Sequence, residues 1–132
     1  MKKIEGFRCV ECATEFGLTE TKYICPRCGG NLSVVYDYKA LRRELTRKSL
    51  KADSERSLWR YLDILPLGGR AGIPHVHAGW TPLYHAVKLG AGLGLKNLYL
   101  KDDGRNPSAS FKDRASAIIA ARAFETKEKT VA

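Results

Sequence analysis

Residues 106–116 read "NPSASFKDRAS", and they predict a loop that runs into the first turn of a helix. Ser110 fits the N-cap position, and Asp113 lies three residues later, as in a capping box. Lys112 and Arg114 also fall within that first turn. Because the N-terminus of a helix carries partial positive charge, cations are unfavourable there. The presence of the lysine at this position therefore needs an explanation.

Two explanations for Lys112 stay open at this point. A positive local potential disfavours the ammonium form, and a neutral lysine amine is a nucleophile suited to a Schiff base with an aldehyde cofactor. The start of the same helix also attracts phosphate groups. Alternatively, Lys112 is an exposed surface lysine whose charge Asp113 balances. The local residues by themselves favour neither explanation.

The segments on both sides of this loop predict an α/β fold. "LYHAVKLGAGLGL" (residues 83–95) is typical of a short helix ending in a glycine-rich turn, and "NLYLKDD" (97–103) of a strand. A helix is expected from about Phe111 to Thr126, and "KTVA" (129–132) to begin a further strand. A strand, a helix and the start of a strand make a βαβ unit that stops partway, so we expect a fragment. The expected apolar helix face comprises Phe111, Ala115, Ile118 and Ile119.

Residues 37–78 are predicted to be a helical and loop linker. "YKALRRELTRK" has apolar side chains at helical spacing, and a second helix is expected from an N-cap at Ser54 to Pro66. Residues 68–82 are rich in glycine and proline, which indicates a loop. The apolar positions of the first helix are Tyr38, Leu41 and Leu45.

Four cysteines form two C-x-x-C pairs, twelve residues apart, near the start of the chain: Cys9, Cys12, Cys25 and Cys28. Four thiolates complete a tetrahedral zinc shell and leave no open position, so the predicted zinc is structural and not catalytic. Iron is the main alternative metal, and a disulfide or redox pair is the alternative without a metal. Residues 1–36 are thus predicted to be a zinc-ribbon domain that takes most of its folding free energy from the metal.

Composition limits the class of protein. The 132 residues include 44% hydrophobic residues and carry a formal net charge of +9. No signal peptide and no run of about 20 apolar residues is visible, so we expect a soluble, cytoplasmic protein without a membrane partner. The basic balance favours an anionic partner, which could be nucleic acid or a phosphorylated small molecule.

Four short motifs, in order along the chain, carry a resemblance to a known family. They are "GWTPL" (79–83), "KDD" (101–103), "NP" (106–107) and "SFKDR" (110–114). This ordered set resembles the start of the catalytic domain of the threonine synthase family. The four cysteines are similar to the N-terminal zinc ribbon of many members. One departure is "PSAS" (107–110), where a common form in the family has Pro-Thr-Gly-Ser.

The resemblance implies a fold, a cofactor and a reaction. The fold would be the fold type II (tryptophan synthase β-like) architecture of pyridoxal-phosphate enzymes, beginning at residues 79–132. Lys112 would bind pyridoxal 5'-phosphate as a Schiff base and act as the proton-transfer base, with Phe111 close to the cofactor ring. The substrate would be O-phosphohomoserine, converted with water to threonine and phosphate. Asn106 and Asp113 would hold the loop and the helix start.

The resemblance also implies that further cofactor contacts lie beyond these residues. In the family, a Ser/Asn loop after the "KTVA" strand contacts the cofactor ring, and a glycine-rich loop further on holds its phosphate. We therefore expect residues 1–132 alone to be inactive and to bind the cofactor weakly. An open sheet edge also suggests self-association or a homo-oligomer.

Other functions compete with this one. Threonine dehydratases and cysteate synthase share the lysine motif, and the substrate contacts that separate them lie largely outside this chain. A basic zinc-ribbon module that binds nucleic acid or protein would fit the cysteines, the charge and the tyrosines at 23, 36 and 38. That module does not explain the ordered motifs, so nucleic acid is not the expected partner. A third possibility is a truncated gene product with no activity of its own, and this overlaps with a fragment of a threonine-synthase-like enzyme.

Overall fold

A computed structural model describes residues 3–18, 20 and 23–131. The chain divides into two compact units, and each contains a short segment from the middle of the chain. Unit 1 comprises Met1–Ser54 with Arg60–Ala71, and unit 2 comprises Glu55–Trp59 with Gly72–Ala132. The predicted domain boundaries at residues 36 and 78 stay predictions.

Unit 1 is built on a three-stranded antiparallel sheet in the order β2-β1-β3. Its strands are β1 (Ile4–Cys9), β2 (Glu15–Phe16) and β3 (Leu32–Tyr36). In the central strand, Phe7 pairs with Phe16 on one side and with Val34 on the other. A Cβ atom on Gly6 would lie 2.3 Å from the carbonyl oxygen of Phe16, so the close approach of β2 requires glycine there.

Two capped helices follow the sheet. They confirm that "YKALRRELTRK" (38–48) is helical in part, but the chain interrupts the stretch at Leu45 and Thr46. In α1 (Tyr38–Glu44), the Asp37 carboxylate accepts a hydrogen bond from the Ala40 amide at 2.9 Å. In α2 (Arg47–Ala52), Thr46 and Ser49 form a reciprocal capping box. Leu41 is the buried residue of α1, whereas Tyr38 is exposed. The predicted apolar stripe is therefore narrower than expected.

The helix predicted from Ser54 to Pro66 is wrong. The segment forms a 3-10 helix over Leu58–Ile64, and the backbone at Tyr61 departs from helical geometry. The Trp59 amide donates a hydrogen bond to the hydroxyl of Ser57, so a serine does cap the start, three residues later than predicted. The aromatic and leucine side chains of residues 58–64 favour a longer helix. Leu58 and Trp59 are both buried, and their tertiary contacts override that local preference.

Charged and polar contacts tie the parts of unit 1 together. The Lys3 ammonium lies 2.5 Å from a Glu44 carboxylate oxygen and 3.2 Å from an Asp63 oxygen. Burial lowers the pKa of Lys3, but these two carboxylates raise it more, so the net shift is upward. The Tyr36 hydroxyl donates to the carbonyl of Ile64 at 2.6 Å. These contacts hold α1 and the 60–71 segment against the sheet.

Unit 2 contains a two-stranded antiparallel ribbon of β4 (Leu83–His85) and β5 (Tyr99–Lys101), with α3 (Val87–Gly92) between them in sequence. The prediction of β5 is confirmed. The helix predicted over residues 83–95 is wrong at its start, because residues 83–85 pair with β5 instead. Tertiary pairing thus decided a segment whose local sequence favoured a helix.

A 3-10 turn (Asp103–Arg105) and a loop then lead to α4 (Lys112–Glu125), as predicted to within a residue or two. The helix buries Ala117 and Ala121, whereas Phe111 and Ile119 are 61% and 51% exposed, so the predicted apolar face is wrong. Residues 129–131 carry no strand, and Ala132 lies outside the described residues. Helices and strands alternate in this unit, which agrees with the α/β class. Within the described chain, no helix has the length and apolar character to cross a bilayer.

Candidate functional site

The four cysteines of unit 1 meet at one point. Their sulfur atoms all lie within 4.8 Å of one another. Two sulfur pairs are closer, with Cys9 and Cys28 at 3.5 Å and Cys12 and Cys25 at 3.7 Å. A tetrahedral site with metal–sulfur bonds of about 2.3 Å places its sulfurs about 3.8 Å apart. All four thiols are free, so the alternative of a disulfide is not formed.

Two equivalent turns present these sulfurs. In each turn, the carbonyl of the first cysteine accepts a hydrogen bond from the amide four residues on: Ala13 to Cys9 at 3.1 Å, and Gly29 to Cys25 at 2.8 Å. Those two donor residues both have a positive φ, of 57° and 75°. A Cβ on Gly30 would lie 3.0 Å from the Cys9 sulfur, so the second turn needs a glycine beside the cluster.

The pKa values of the thiols differ within the cluster. The neighbouring Thr14 hydroxyl lowers the pKa of the Cys12 thiol to about 6. The Gly30 amide lowers the pKa of Cys28, but the sulfurs of Cys9 and Cys12 outweigh it and raise the pKa to about 12. Adjacent thiolates repel one another without a cation, and a bound metal ion removes this repulsion by binding all of them. The donor set therefore fits a four-coordinate metal that prefers sulfur.

Lys112 is the first residue of α4, and its side chain is exposed. Its amine nitrogen lies 4.7 Å from the centre of the Phe111 ring, a cation–π contact. Within the described residues, no carboxylate forms an ion pair with this amine. The structure thus places the two predicted cofactor residues side by side at the start of the helix, and their role stays a prediction.

The capping box predicted for Ser110 and Asp113 is wrong in its geometry. The structure makes Phe111 the N-cap residue, and the Ser110 hydroxyl accepts a hydrogen bond from the Lys112 amide at 3.1 Å. The Asp113 carboxylate turns back to Ser108, accepting from its amide at 2.8 Å and from its hydroxyl. The hydroxyl and then the amide of Ser108 lower the pKa of Asp113. Asp113 therefore holds the loop and does not neutralise Lys112.

Arg114 forms a bidentate ion pair in the first turn of α4. Its guanidinium donates two hydrogen bonds of 2.8 Å to the Asp103 carboxylate, in the bidentate geometry that arginine favours. The Thr81 hydroxyl donates to the same carboxylate at 2.6 Å and accepts from Arg114 at 3.3 Å. Arg114 and then Thr81 lower the pKa of Asp103 well below its usual range. We call these three residues the Arg114 clamp.

Asn106 connects the same loop to the glycine turn at residue 79. Its side-chain oxygen accepts a hydrogen bond from the Gly79 amide at 2.9 Å, and its side-chain nitrogen donates to the Asp103 carbonyl at 2.8 Å. Asn106 is buried, and protein groups form hydrogen bonds with both the oxygen and the nitrogen of its side-chain amide. The expectation that Asn106 and Asp113 hold the loop agrees with these contacts. Sequence reasoning missed the clamp, although "KDD" and "GWTPL" had marked Asp103 and Thr81.

The sequence is similar to one family of enzymes over its second part and to individual proteins over most of its length. Residues 75–132 match the family of pyridoxal-phosphate dependent enzymes. The match covers the second part of the chain. It is 38% identical over 118 residues to the threonine synthase of Methanocaldococcus jannaschii, which covers 89% of this chain and 29% of the relative. It is 37% identical over 125 residues to the threonine synthase of Methanosarcina acetivorans, which covers 95% of this chain and 30% of the relative.

These matches relate the chain to threonine synthase along most of its length, and they include the cysteine turns as well as the lysine loop. The chain spans about 30% of the length of these curated relatives. No solved structure matches the chain.

Proposed function

We propose that this chain contributes the lysine-bearing part of a threonine synthase, an enzyme that uses pyridoxal phosphate to convert O-phosphohomoserine and water to threonine and phosphate. The observation that carries the proposal is an exposed Lys112 at the start of α4, within the segment that matches the family. Hydrogen bonds from the Lys112 amide to Ser110 and between Ser108 and Asp113 hold the loop around it. The similarity to two threonine synthases favours this enzyme over a dehydratase, a cysteate synthase or a basic binding module.

The residues present fit the cofactor. An amine without a carboxylate partner in the described chain is available to condense with an aldehyde, and the ring of Phe111 beside it offers an apolar face for an aromatic cofactor. Pyridoxal phosphate, when bound, supplies an electron sink for charge at the substrate carbon. Lys112 would hold the cofactor through its amine nitrogen, and the same nitrogen would accept and return the proton at the reacting substrate carbon. The Phe111 ring lies 4.7 Å from the amine on one side.

The test uses the protein expressed from its complete reading frame. With pyridoxal phosphate present, borohydride should fix the cofactor to the peptide that contains Lys112, as located by mass spectrometry. Phosphate release from O-phosphohomoserine should be lost in Lys112→Ala and kept in Lys88→Ala, a matched control at an exposed lysine of α3. Unchanged turnover in Lys112→Ala, or attachment at another lysine, would contradict the proposal. Residues 1–132 expressed alone should form no threonine.

We also propose that the four cysteines bind one structural zinc ion and make unit 1 a zinc ribbon. The tetrahedral sulfur spacing and the two equivalent turns support this. Metal analysis of the purified protein should find one zinc per chain, and Cys25→Ser should lose it. Cobalt substitution should give the visible spectrum of four thiolates around a tetrahedral ion. One iron per chain, or a zinc content unchanged by Cys25→Ser, would contradict the assignment.

A cytoplasmic location and self-association complete the proposal. Several large apolar side chains of unit 2 are exposed, including Leu83, Tyr99 and Leu100 of the β4–β5 ribbon. Exposed ribbon residues of this kind favour pairing with another surface. Sedimentation of the complete protein over a range of concentrations tests whether it associates, and cell fractionation tests the location.

A further inference from the structure

An ion pair between its first and last residues joins the two ends of the segment from residue 103 to residue 114. Asp103 begins the 3-10 turn after β5, Arg114 lies in the first turn of α4, and the two side chains meet in the bidentate ion pair. Because Lys112 lies two residues before Arg114, this pair fixes the loop at the base of the lysine. The Arg114 guanidinium is also neutralised there, so it does not act as the bare charge that the sequence suggested.

Thr81 makes the pair a three-way junction. Its hydroxyl contacts both charged groups, and its carbonyl accepts a hydrogen bond from the Lys101 ammonium. Thr81 is only 7% exposed, and Asp103 and Arg114 have side chains that are 25% and 34% exposed. A partly shielded, bidentate pair with a third polar partner keeps its geometry better than a lone surface ion pair does. The junction is therefore rigid enough to orient a neighbouring residue.

The side chain of Lys112 makes few contacts of its own that could fix its direction. Its amide is held by the Ser110 hydroxyl, and the loop behind it is braced by Asp113 and Ser108. Within the described chain, its amine contacts only the Phe111 ring by a directional interaction. The direction in which Lys112 leaves α4 is consequently set by the backbone that the Arg114 clamp holds, and not by a partner of the amine itself.

We propose that the Arg114 clamp, formed by Thr81, Asp103 and Arg114, is the positioning device of Lys112 for proton transfer. This inference rests on the proposed function of Lys112 and adds three residues that bond to one another and not to its amine. A displacement of a reacting group by about 1 Å can cost about 100-fold in rate. Loosening the clamp should therefore slow turnover and leave substrate affinity nearly unchanged, because Lys112 acts in the chemical step.

The decisive variants are Thr81→Val and Thr81→Ser in the protein from the complete reading frame, with pyridoxal phosphate bound. Valine matches threonine in shape but removes the hydroxyl, whereas serine keeps it. We expect Thr81→Val to lower kcat about 10- to 100-fold with KM within about threefold of wild type. The pH midpoint of the visible absorbance of the bound cofactor should shift in Thr81→Val. Thr81→Ser should restore both properties.

Arg114→Lys is the second variant, and Arg122→Lys is its matched control. Arg122 lies on the same helix and forms an ion pair with Glu125 at 3.3 Å, with similar exposure of the arginine side chain. Arg114→Lys keeps the charge but loses the bidentate geometry, so it should behave like Thr81→Val. Arg122→Lys should retain wild-type kcat and absorbance. If Thr81→Val fails to fold, Arg114→Lys carries the test.

Two results would overturn the clamp as a positioning device. One is wild-type kcat and an unshifted absorbance midpoint in both Thr81→Val and Arg114→Lys, with only the thermal midpoint lowered. The other is an equal loss in Arg122→Lys, which would mean that any weakened helix contact has the same effect. Either result would leave the three residues with a structural role alone.

A separate measurement distinguishes failure of the clamp from failure of the proposed function. Without added cofactor, acetic anhydride labels Lys112 and Lys88, and peptide mass spectrometry gives the ratio of the two rates across pH. That ratio should change in Thr81→Val and match wild type in Thr81→Ser. If borohydride fixes no cofactor at Lys112, the proposed function is wrong, and this ratio still decides whether the clamp governs the lysine. An unchanged ratio would overturn the inference.

Discussion

Ala109 has a left-handed backbone, and replacing it with glycine should stabilise the protein. Its φ is 56°, and its amide donates a hydrogen bond of 2.8 Å to the Asn106 carbonyl, which closes the turn before the lysine. The left-handed conformation costs a residue with a Cβ about 1–2 kcal/mol, and glycine avoids this cost. Glycine also loses about 0.4–1 kcal/mol through the greater freedom of the unfolded chain. The net gain for Ala109→Gly is then about 0.5–1 kcal/mol.

Thermal and urea unfolding of the protein from the complete reading frame measure this gain. Ala109→Gly should raise the thermal midpoint by about 1 °C, with an unchanged dependence on urea. The matched control is Ala120→Gly, at an exposed position within α4, where the same substitution should cost about 0.5–1 kcal/mol. A loss of stability in Ala109→Gly equal to that in Ala120→Gly would refute the reasoning. "PSAS" would then differ from the glycine form of the motif for a reason unrelated to backbone strain.

Three further outcomes follow from the contacts described above. Gly6→Ala should lower stability by about 1–3 kcal/mol in urea unfolding, because its Cβ would lie 2.3 Å from the Phe16 carbonyl oxygen; an unchanged midpoint would contradict the close packing of β2. Ala13→Gly, which removes a φ of 57° beside the cysteine cluster, should slow the loss of zinc to a chelator about two- to fivefold, and faster loss would count against the turn geometry. Because Arg114 and Thr81 lower the pKa of Asp103 below its ordinary value of 3.8, the ionised carboxylate stabilises the fold above that pH, and the contribution disappears as pH falls through the lower folded value. The difference in urea midpoint between wild type and Asp103→Asn should be constant between about pH 5 and pH 7 and shrink below about pH 4; a difference that grows in acid is the contrary result.

The cysteine cluster shows how far local spacing carries a prediction. Two C-x-x-C pairs were enough to predict four sulfurs around one point, since each pair forms its own turn and only the two turns have to meet. The sequence also predicted a tight turn at the second pair, because glycines follow those cysteines. At the first pair, Ala13 adopts the same left-handed backbone without a glycine to indicate it. The antiparallel sheet that brings the turns together was not predicted.

The lysine loop shows where local reasoning stopped. The position of α4 was predicted from its periodicity, and the lysine at its start was recognised as unusual. The explanation in which Asp113 balances Lys112 was wrong, because Asp113 bonds to Ser108. The arginine of the first turn bonds to Asp103, eleven residues earlier. The capping rules describe neighbours within one turn, and they contain no information about a carboxylate on another element.

The sequence by itself determined the cysteine cluster, helix formation within residues 38–48, the helix at residues 112–125, and Lys112 as the residue to explain, because each depends on spacing within a few residues. Tertiary structure alone decided that residues 83–85 pair as a strand, that α4 buries Ala117 and Ala121 instead of its larger apolar side chains, and that Thr81 reaches Arg114 across 33 residues. The physical reason is that these choices depend on which surfaces meet after the chain folds. Local propensities of a fraction of a kcal/mol per residue yield to the contacts made there.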